Sequence, residues 1–303
     1  MPAARFTLHP RGPYSLAAGA RFLEGFAPAA HEAAAEGHLH LAFPGPEGEP
    51  AGVCLRQEDD QTVVGEAFGA ADPGFVRAEA QRILSLDHDG SGFAAVGERD
   101  PVVGQLQARF DGLRPVLFHS PYEAAAWALI GHRVRIVQAA RVKARMATEL
   151  GGPVDLHGDV RHAFPSPQRM ADLETFPGLV GRKAEWLRAL GRAADAGALD
   201  AKHLRSLEPD RALSELQELA GIGPFSAELI LLRGAGEADR LPAAEPRLRR
   251  AVALAYGDER EPTQAEVAQR AERWRPYRTW VAVLLRAALE DETGEIGGRP
   301  YGA

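Results

Sequence analysis

Residues 216–227 read Leu216-Gln-Glu-Leu219-Ala-Gly221-Ile222-Gly223-Pro-Phe225-Ser226-Ala227, and this dozen decides the fold. Leu216 and Leu219 share one face of a helix, two glycines then flank a single isoleucine, and a second helical segment starts near Ser226. Glycine has two uses in such a turn. It admits positive φ, and without a Cβ it lets successive N–H groups approach an anion at the start of the next helix. The spacing predicts two helices joined by a tight hairpin whose backbone holds a phosphate without reading bases. Gly221, Ile222, Gly223 and Ser226 are its candidate contact residues. The plainer alternative is a glycine-rich turn between packed helices with no ligand.

Outward from the hairpin, Pro and Gly punctuate a series of amphipathic segments. They predict helices over 121–131, 136–150, 166–173, 181–196, 207–219, 226–233, 246–256, 263–274 and 278–292. The first hundred residues differ. Short strand-like runs at 38–43, 52–57 and 62–65 lie between helical stretches at 15–25 and 73–84. The fold class expected is therefore α+β: a small N-terminal α+β domain over 1–113, an all-α domain over 114–292 and a flexible tail over 293–303. Trp274, Tyr277 and Trp280, spaced by three, read as packing residues.

Composition narrows the function. The formal net charge of −7 argues at first against a polyanion partner. The acidity is local, however. The first 112 residues carry 8 basic against 16 acidic side chains, and the remainder 27 against 26. Two clusters, Arg133/Arg135/Arg141/Lys143/Arg145 and Arg247/Arg249/Arg250, are candidates for phosphate contact or for ordinary solvated helix faces. No apolar stretch approaches the roughly 20 residues of a membrane span, and the start lacks a charged-then-apolar leader. A cytoplasmic, nucleoid-associated monomer with no membrane partner is expected. The single cysteine, Cys54, forms no internal disulfide and cannot supply an iron–sulfur cluster. It reads as a small buried hydrophobe. His157 and His162 stand apart and Asp155 and Asp159 fall in a loop-like region, so no metal site is assigned and no cofactor is expected.

Taken in order, the hairpin, the segment Leu241 to Val252 (LPAAEPRLRRAV) and the segment Ala271 to Leu285 (AERWRPYRTWVAVLL) resemble the helix-hairpin-helix DNA glycosylase superfamily, in particular the 3-methyladenine DNA glycosylase II family. Weaker patches extend the resemblance over most of the chain: 18–26 with 82–86, ALIGHRVRIVQAARV from Ala128 and FPGLVGRKAEWL from Phe176.

The resemblance implies an enzyme that flips an alkylated purine of the 3-methyladenine type out of duplex DNA and hydrolyses its N-glycosidic bond, its partner being double-stranded DNA containing damaged bases. It places the carboxylate that stabilises the developing sugar cation at Glu245, where the family carries aspartate. Pro246 is expected to open the next helix at its first position, and a bland reading makes Glu245 only a helix N-terminal acid. Phe225 stands where bifunctional members have a Schiff-base lysine, which implies base removal without strand cleavage. His132, Phe225 and Arg286 map to the substrate pocket, with Phe225 either stacking on the extruded base or packing in the core, and Arg133 maps to the residue that fills the gap left by the flipped base. Arg286 replaces an aromatic, and a cationic wall suits cationic alkylated bases poorly. The alternative is a catalytically impaired helix-hairpin-helix protein that keeps only DNA binding.

Overall fold

The structure, a computed structural model, describes residues 4–25 and 37–294. The expected tail lies outside the described residues from 295 onward. Strands β1 (Ala4–Leu8), β2 (Leu39–Pro44), β3 (Pro50–Asp59) and β4 (Thr62–Gly69) form an antiparallel sheet of order β1-β4-β3-β2. The β1 strand was not foreseen, and β3 and β4 run longer than the sequence suggested. Alternation sorts the two faces. Leu39, Leu41, Phe43, Val53 and Leu55 face a core completed by α1 (Leu16–Gly25) and α2 (Pro73–Ile83). His40, Ala42, Gly52, Cys54, Glu66 and Phe68 fall on the other face.

That second face is covered by a hairpin, β5 (Pro153–Leu156) and β6 (Asp159–His162), where the sequence had suggested a loop. His157 (φ 58°) and Gly158 (φ 89°) both adopt left-handed backbone, as a two-residue type I′ connection requires. Val154 and Leu156 pack on Ala42 and Phe68, and full burial of each contributes about 1.5–3 kcal/mol. A Cβ on Gly52 would lie 2.9 Å from Val154 Cγ1, so the close approach of hairpin to sheet needs glycine there.

The helices follow largely where periodicity puts them, and a repeated device starts them. At Asp72-Pro73, Asp100-Pro101, Ser120-Pro121 and Ser166-Pro167 the polar side chain accepts a backbone N–H of the first turn and proline occupies the first helical position. Each cap contributes about 1 kcal/mol. These residues open α2, α4 (Pro101–Arg109, after α3, Ala94–Arg99), α5 (Pro121–Gly131, before α6, Ile136–Leu150) and α7 (Pro167–Ala171).

Next come α8 (Lys183–Asp195), α9 (Ala201–Ser206), α10 (Pro209–Gln217) and α11 (Pro224–Leu229), and α5 to α11 enclose a middle core between Phe118 and Ala235. The last helices, α12 (Leu248–Tyr256), α13 (Gln264–Ala271) and α14 (Arg278–Thr293), form a third core together with α3 and α4, so the segment from Phe93 to Leu113 packs on the C-terminal helices. Trp274, Tyr277 and Trp280 are buried there, as packing residues should be.

Two buried arginines fasten these bodies. Arg82 donates to Gly234 O at 2.7 Å and also to Phe118 O, and Arg114 donates to Pro13 O at 3.0 Å while its guanidinium lies 5.2 Å from the Trp280 ring centroid. Among the described residues no helix is long and apolar enough to cross a membrane.

Candidate active site

The hairpin between α10 and α11 takes the predicted form. Gly221 has φ 84°, and a Cβ there would lie 2.8 Å from both Leu129 Cδ2 and Trp186 Cε3, so glycine is required twice over. Ile222 is buried in the middle core and pins the turn. Gly223 differs. Its φ is ordinary and a Cβ would meet nothing within 4 Å, which leaves the backbone bare on its outer side. It is the N-cap of α11 and no side chain caps the first-turn N–H groups, so the amide of Ser226 and its neighbours are left to an external acceptor. Phe225, 41% exposed, projects beside them.

Past α11 the chain widens into a π-helical turn, Ile230–Ala235, stopped by Gly236 at φ 90°. The following loop carries Glu245 and is anchored from two sides. Glu228 of α11 accepts the Ala244 N–H at 2.8 Å, and Thr279 of α14 exchanges hydrogen bonds with Arg240, accepting its N–H at 3.2 Å and donating to its carbonyl at 2.9 Å. Pro246 sits in a turn and does not open the next helix; α12 starts at Leu248 because the backbone first closes a turn from Glu245 O to Leu248 N.

Glu245, Phe225 and Arg286, far apart in sequence, line one pocket of about 80 Å³ with Glu228, Leu232 and Val283. Glu245 Oε2 accepts from Arg286 Nη1 at 2.6 Å, and Oε1 accepts from Arg247 Nε at 3.0 Å and from the Arg247 N–H at 3.1 Å. Burial alone would raise the Glu245 pKa, but Arg286 and then Arg247 outweigh it and hold the carboxyl below the ordinary value. It is an anion at neutral pH. Its hydrogen bond to the Arg247 N–H places it just before the start of α12, as the bland reading of a helix N-terminal acid expects. Glu228 shifts the other way: burial raises its pKa, backbone N–H groups and Arg240 offset only part, and the Glu245 charge adds to the rise.

His132 lies outside this pocket. Its ring is exposed and meets Trp186 edge to face at a centroid distance of 5.9 Å, because the turn after α5 carries it toward the glycine hairpin. Arg133, at the tip of the same turn, is exposed and holds φ 54°, a strained conformation for a side-chain-bearing residue. The α5 end is fixed from inside by the buried Lys183, which donates to Ile130 O at 2.7 Å. Sequence reading missed Glu228 and Thr279 as loop anchors and Arg247 as the second partner of Glu245. Only the basic cluster around Arg247 hinted at the last.

No family model matches the chain. A DNA-3-methyladenine glycosylase of Bacillus subtilis is 23% identical over 211 residues, 68% of this chain and 69% of that one. A Mycobacterium tuberculosis protein named as a probable bifunctional transcriptional activator/DNA repair enzyme AlkA is 30% identical over 217 residues; the match covers 70% of this chain but only 42% of the longer relative. The 3-methyladenine DNA-glycosylase of Archaeoglobus fulgidus superposes with a TM-score of 0.78 at 23% identity, covering 95% of this chain and 98% of that one. In sequence and in fold the chain is thus similar to helix-hairpin-helix DNA glycosylases of the 3-methyladenine type.

Set against the pattern of the glycosylases it resembles, the departures at Phe225, Glu245 and Arg286 are concentrated in one place. The longer glutamate is met by an arginine on α14, so the extra methylene and the missing aromatic are two halves of one ion pair. The family hairpin itself is intact.

Proposed function

We propose that this chain is a monofunctional DNA glycosylase that removes alkylated purines of the 3-methyladenine type from duplex DNA by base flipping and hydrolysis. The observation that carries the reading is the ionised Glu245, set in the same pocket as Phe225 at the start of the helix that leaves the hairpin. Bare N–H groups at Gly223 to Ser226 hold a backbone phosphate and fix the register of the duplex. Arg133 fills the gap in the stack and the extruded base lies against Phe225. The Glu245 carboxylate faces the sugar as positive charge develops, and water completes the hydrolysis. No lysine stands at position 225, so the product is an abasic site in an uncut strand. The protein acts as a monomer on chromosomal DNA in the cytoplasm.

The ion pair sets a condition on this chemistry. Both Glu245 oxygens are engaged by arginines, so a phosphate of the bound strand must draw Arg247 or Arg286 aside before the carboxylate can serve the sugar. The same contact favours a second reading, a helix-hairpin-helix protein that binds DNA and no longer turns over. Incubating the full chain with methylated duplex DNA and reading released bases by mass spectrometry separates the two. Release of 3-methyladenine or 7-methylguanine without strand cleavage is the expected result. Release no greater than a heat-treated control, with duplex binding intact, supports the second reading.

A further inference from the structure

A second constellation lies away from the pocket, on the face of the sheet covered by β5 and β6. The register places His40 opposite Cys54, Cys54 opposite Glu66, and Glu66 opposite Arg5, so one rung of side chains crosses all four strands on a single face. His38, two residues before His40, joins that face, and its Nδ1 lies 3.2 Å from Cys54 Sγ. One ligand atom each of His38, His40 and Cys54 lies within 4.8 Å of the other two.

His40 is 4% exposed. Its Nδ1 pairs with Asp159 of β6 at 2.8 Å, and its Nε2 is buried with no hydrogen-bond partner. An unsatisfied buried nitrogen is destabilising in an ordinary core. A carboxylate on one ring nitrogen with the other left open is, however, the arrangement that orients a metal-binding imidazole.

We propose that His38, His40 and Cys54 form a binding site for a thiophilic divalent metal ion, with Asp159 as the residue that orients His40. Two imidazoles and a thiolate suit zinc in a tetrahedral geometry, where ligand atoms stand roughly 3.3–3.6 Å apart. The His38 to Cys54 separation of 3.2 Å is slightly short of that range and the three ligand atoms lie within 4.8 Å of one another, so small side-chain adjustments bring the set to it. All three side chains line a cleft of about 500 Å³, so water supplies the fourth ligand. Burial and the Glu66 charge push the Cys54 thiol up to about 11, so the free site holds a protonated thiol and the ion displaces that proton as it binds. His40 and Cys54 bridge β2 and β3, and Asp159 brings in the hairpin. The ion would therefore tie together two parts of the chain 119 residues apart.

The test is a titration of the tag-free, chelator-treated full chain with Co²⁺, followed by competition with Zn²⁺. We expect binding of about one equivalent with a thiolate-to-cobalt charge-transfer band, loss of that band in Cys54→Ser, and affinity lowered about 10- to 100-fold in Asp159→Asn. His38→Asn, at the more open side of the site, should weaken binding as well, and circular dichroism confirms that each variant is folded. Absence of the charge-transfer band in the folded wild-type chain overturns the site. So does metal binding of unchanged affinity in folded Cys54→Ser and His38→Asn. Because the readout is binding and not base release, the result is independent of whether Glu245 supports turnover.

Discussion

Arg286 Nη1 on α14 lies 2.6 Å from Glu245 Oε2, and this contact joins two side chains that line one pocket from elements 41 residues apart. The Glu245 side chain is 11% exposed and that of Arg286 29%, so neither charge is well screened by water. The arginine keeps the carboxylate ionised, yet it also cancels part of the negative field the sugar cation would feel.

Replacing Glu245 by Gln removes the charge at nearly constant size. Base release should fall by about a hundredfold or more, the scale of losing one electrostatic stabiliser at a reaction centre. Affinity for undamaged duplex, measured by fluorescence anisotropy, should not fall, because the proposed backbone contacts are made by the hairpin and the substitution releases Arg247 and Arg286 from the carboxylate. Undiminished release would remove Glu245 from the chemistry.

Arg286→Gln tests the ion pair itself. Arg286 is the leading influence that lowers the Glu245 pKa against burial, so its loss raises that pKa. The carboxylate is active when ionised, and the acid limb of the single-turnover rate should therefore move to higher pH. Removing a cation from the pocket wall should also favour 7-methylguanine, which is cationic, over hypoxanthine, which is neutral, by about tenfold. An acid limb that stays in place would show that Arg286 does not govern Glu245.

The two hairpin glycines should separate stability from binding. Gly221→Ala forces φ 84° on a side-chain-bearing residue and drives a Cβ into Leu129 and Trp186, and it should cost about 1–3 kcal/mol in urea unfolding. Gly223→Asp meets no atoms and should fold normally. Its carboxylate would stand against the DNA backbone and weaken binding to all duplex sequences alike. Sequence-selective loss of binding would place position 223 at the base edges instead.

Glu123 anchors the middle core from inside α5. Its Oε1 lies 2.6 Å from Lys143 Nζ and its Oε2 accepts the His119 N–H at 2.8 Å. Burial opposes ionisation, but His119 and Lys143 pull the carboxyl down to about 2 from an ordinary 4.5. A depressed pKa stabilises the fold fully above the unfolded value, and that contribution is lost as pH falls from 4.5 toward 2. Glu123→Gln should cost about 3–5 kcal/mol at neutral pH. Thermal melts should show the gap between wild type and variant narrowing across that acid window. A gap independent of pH would mean that packing, not charge, accounts for the loss.

Local physics made much of this protein legible. Leu216, Gly221, Ile222 and Gly223 specify their hairpin from residues a few positions apart, and periodicity with Ser-Pro and Asp-Pro caps marks most helices, because caps and amphipathic faces are short-range properties. His157-Gly158 was also a readable signal: two residues suited to left-handed backbone between Val154/Leu156 and Val160 are what a tight β-turn asks for. The strands it joins are four residues long and carry little alternation of their own.

Other features have no local trace. Arg286 and Glu245 are 41 residues apart, and nothing near either one says that α14 will fold across the loop. His132 borders the hairpin turn in space and leaves the pocket because a turn's direction depends on Trp186, which packs from another helix. Cys54 alone reads as a small hydrophobe, and only strand register puts it opposite His40, while Asp159 arrives from a hairpin more than a hundred residues later. Sequence alone determined the hairpin and most of the helices, since these rest on backbone conformation and short-range pattern. Tertiary structure decided which charges meet, because electrostatic pairing and ligand geometry depend on distances that the chain sets only when it is packed.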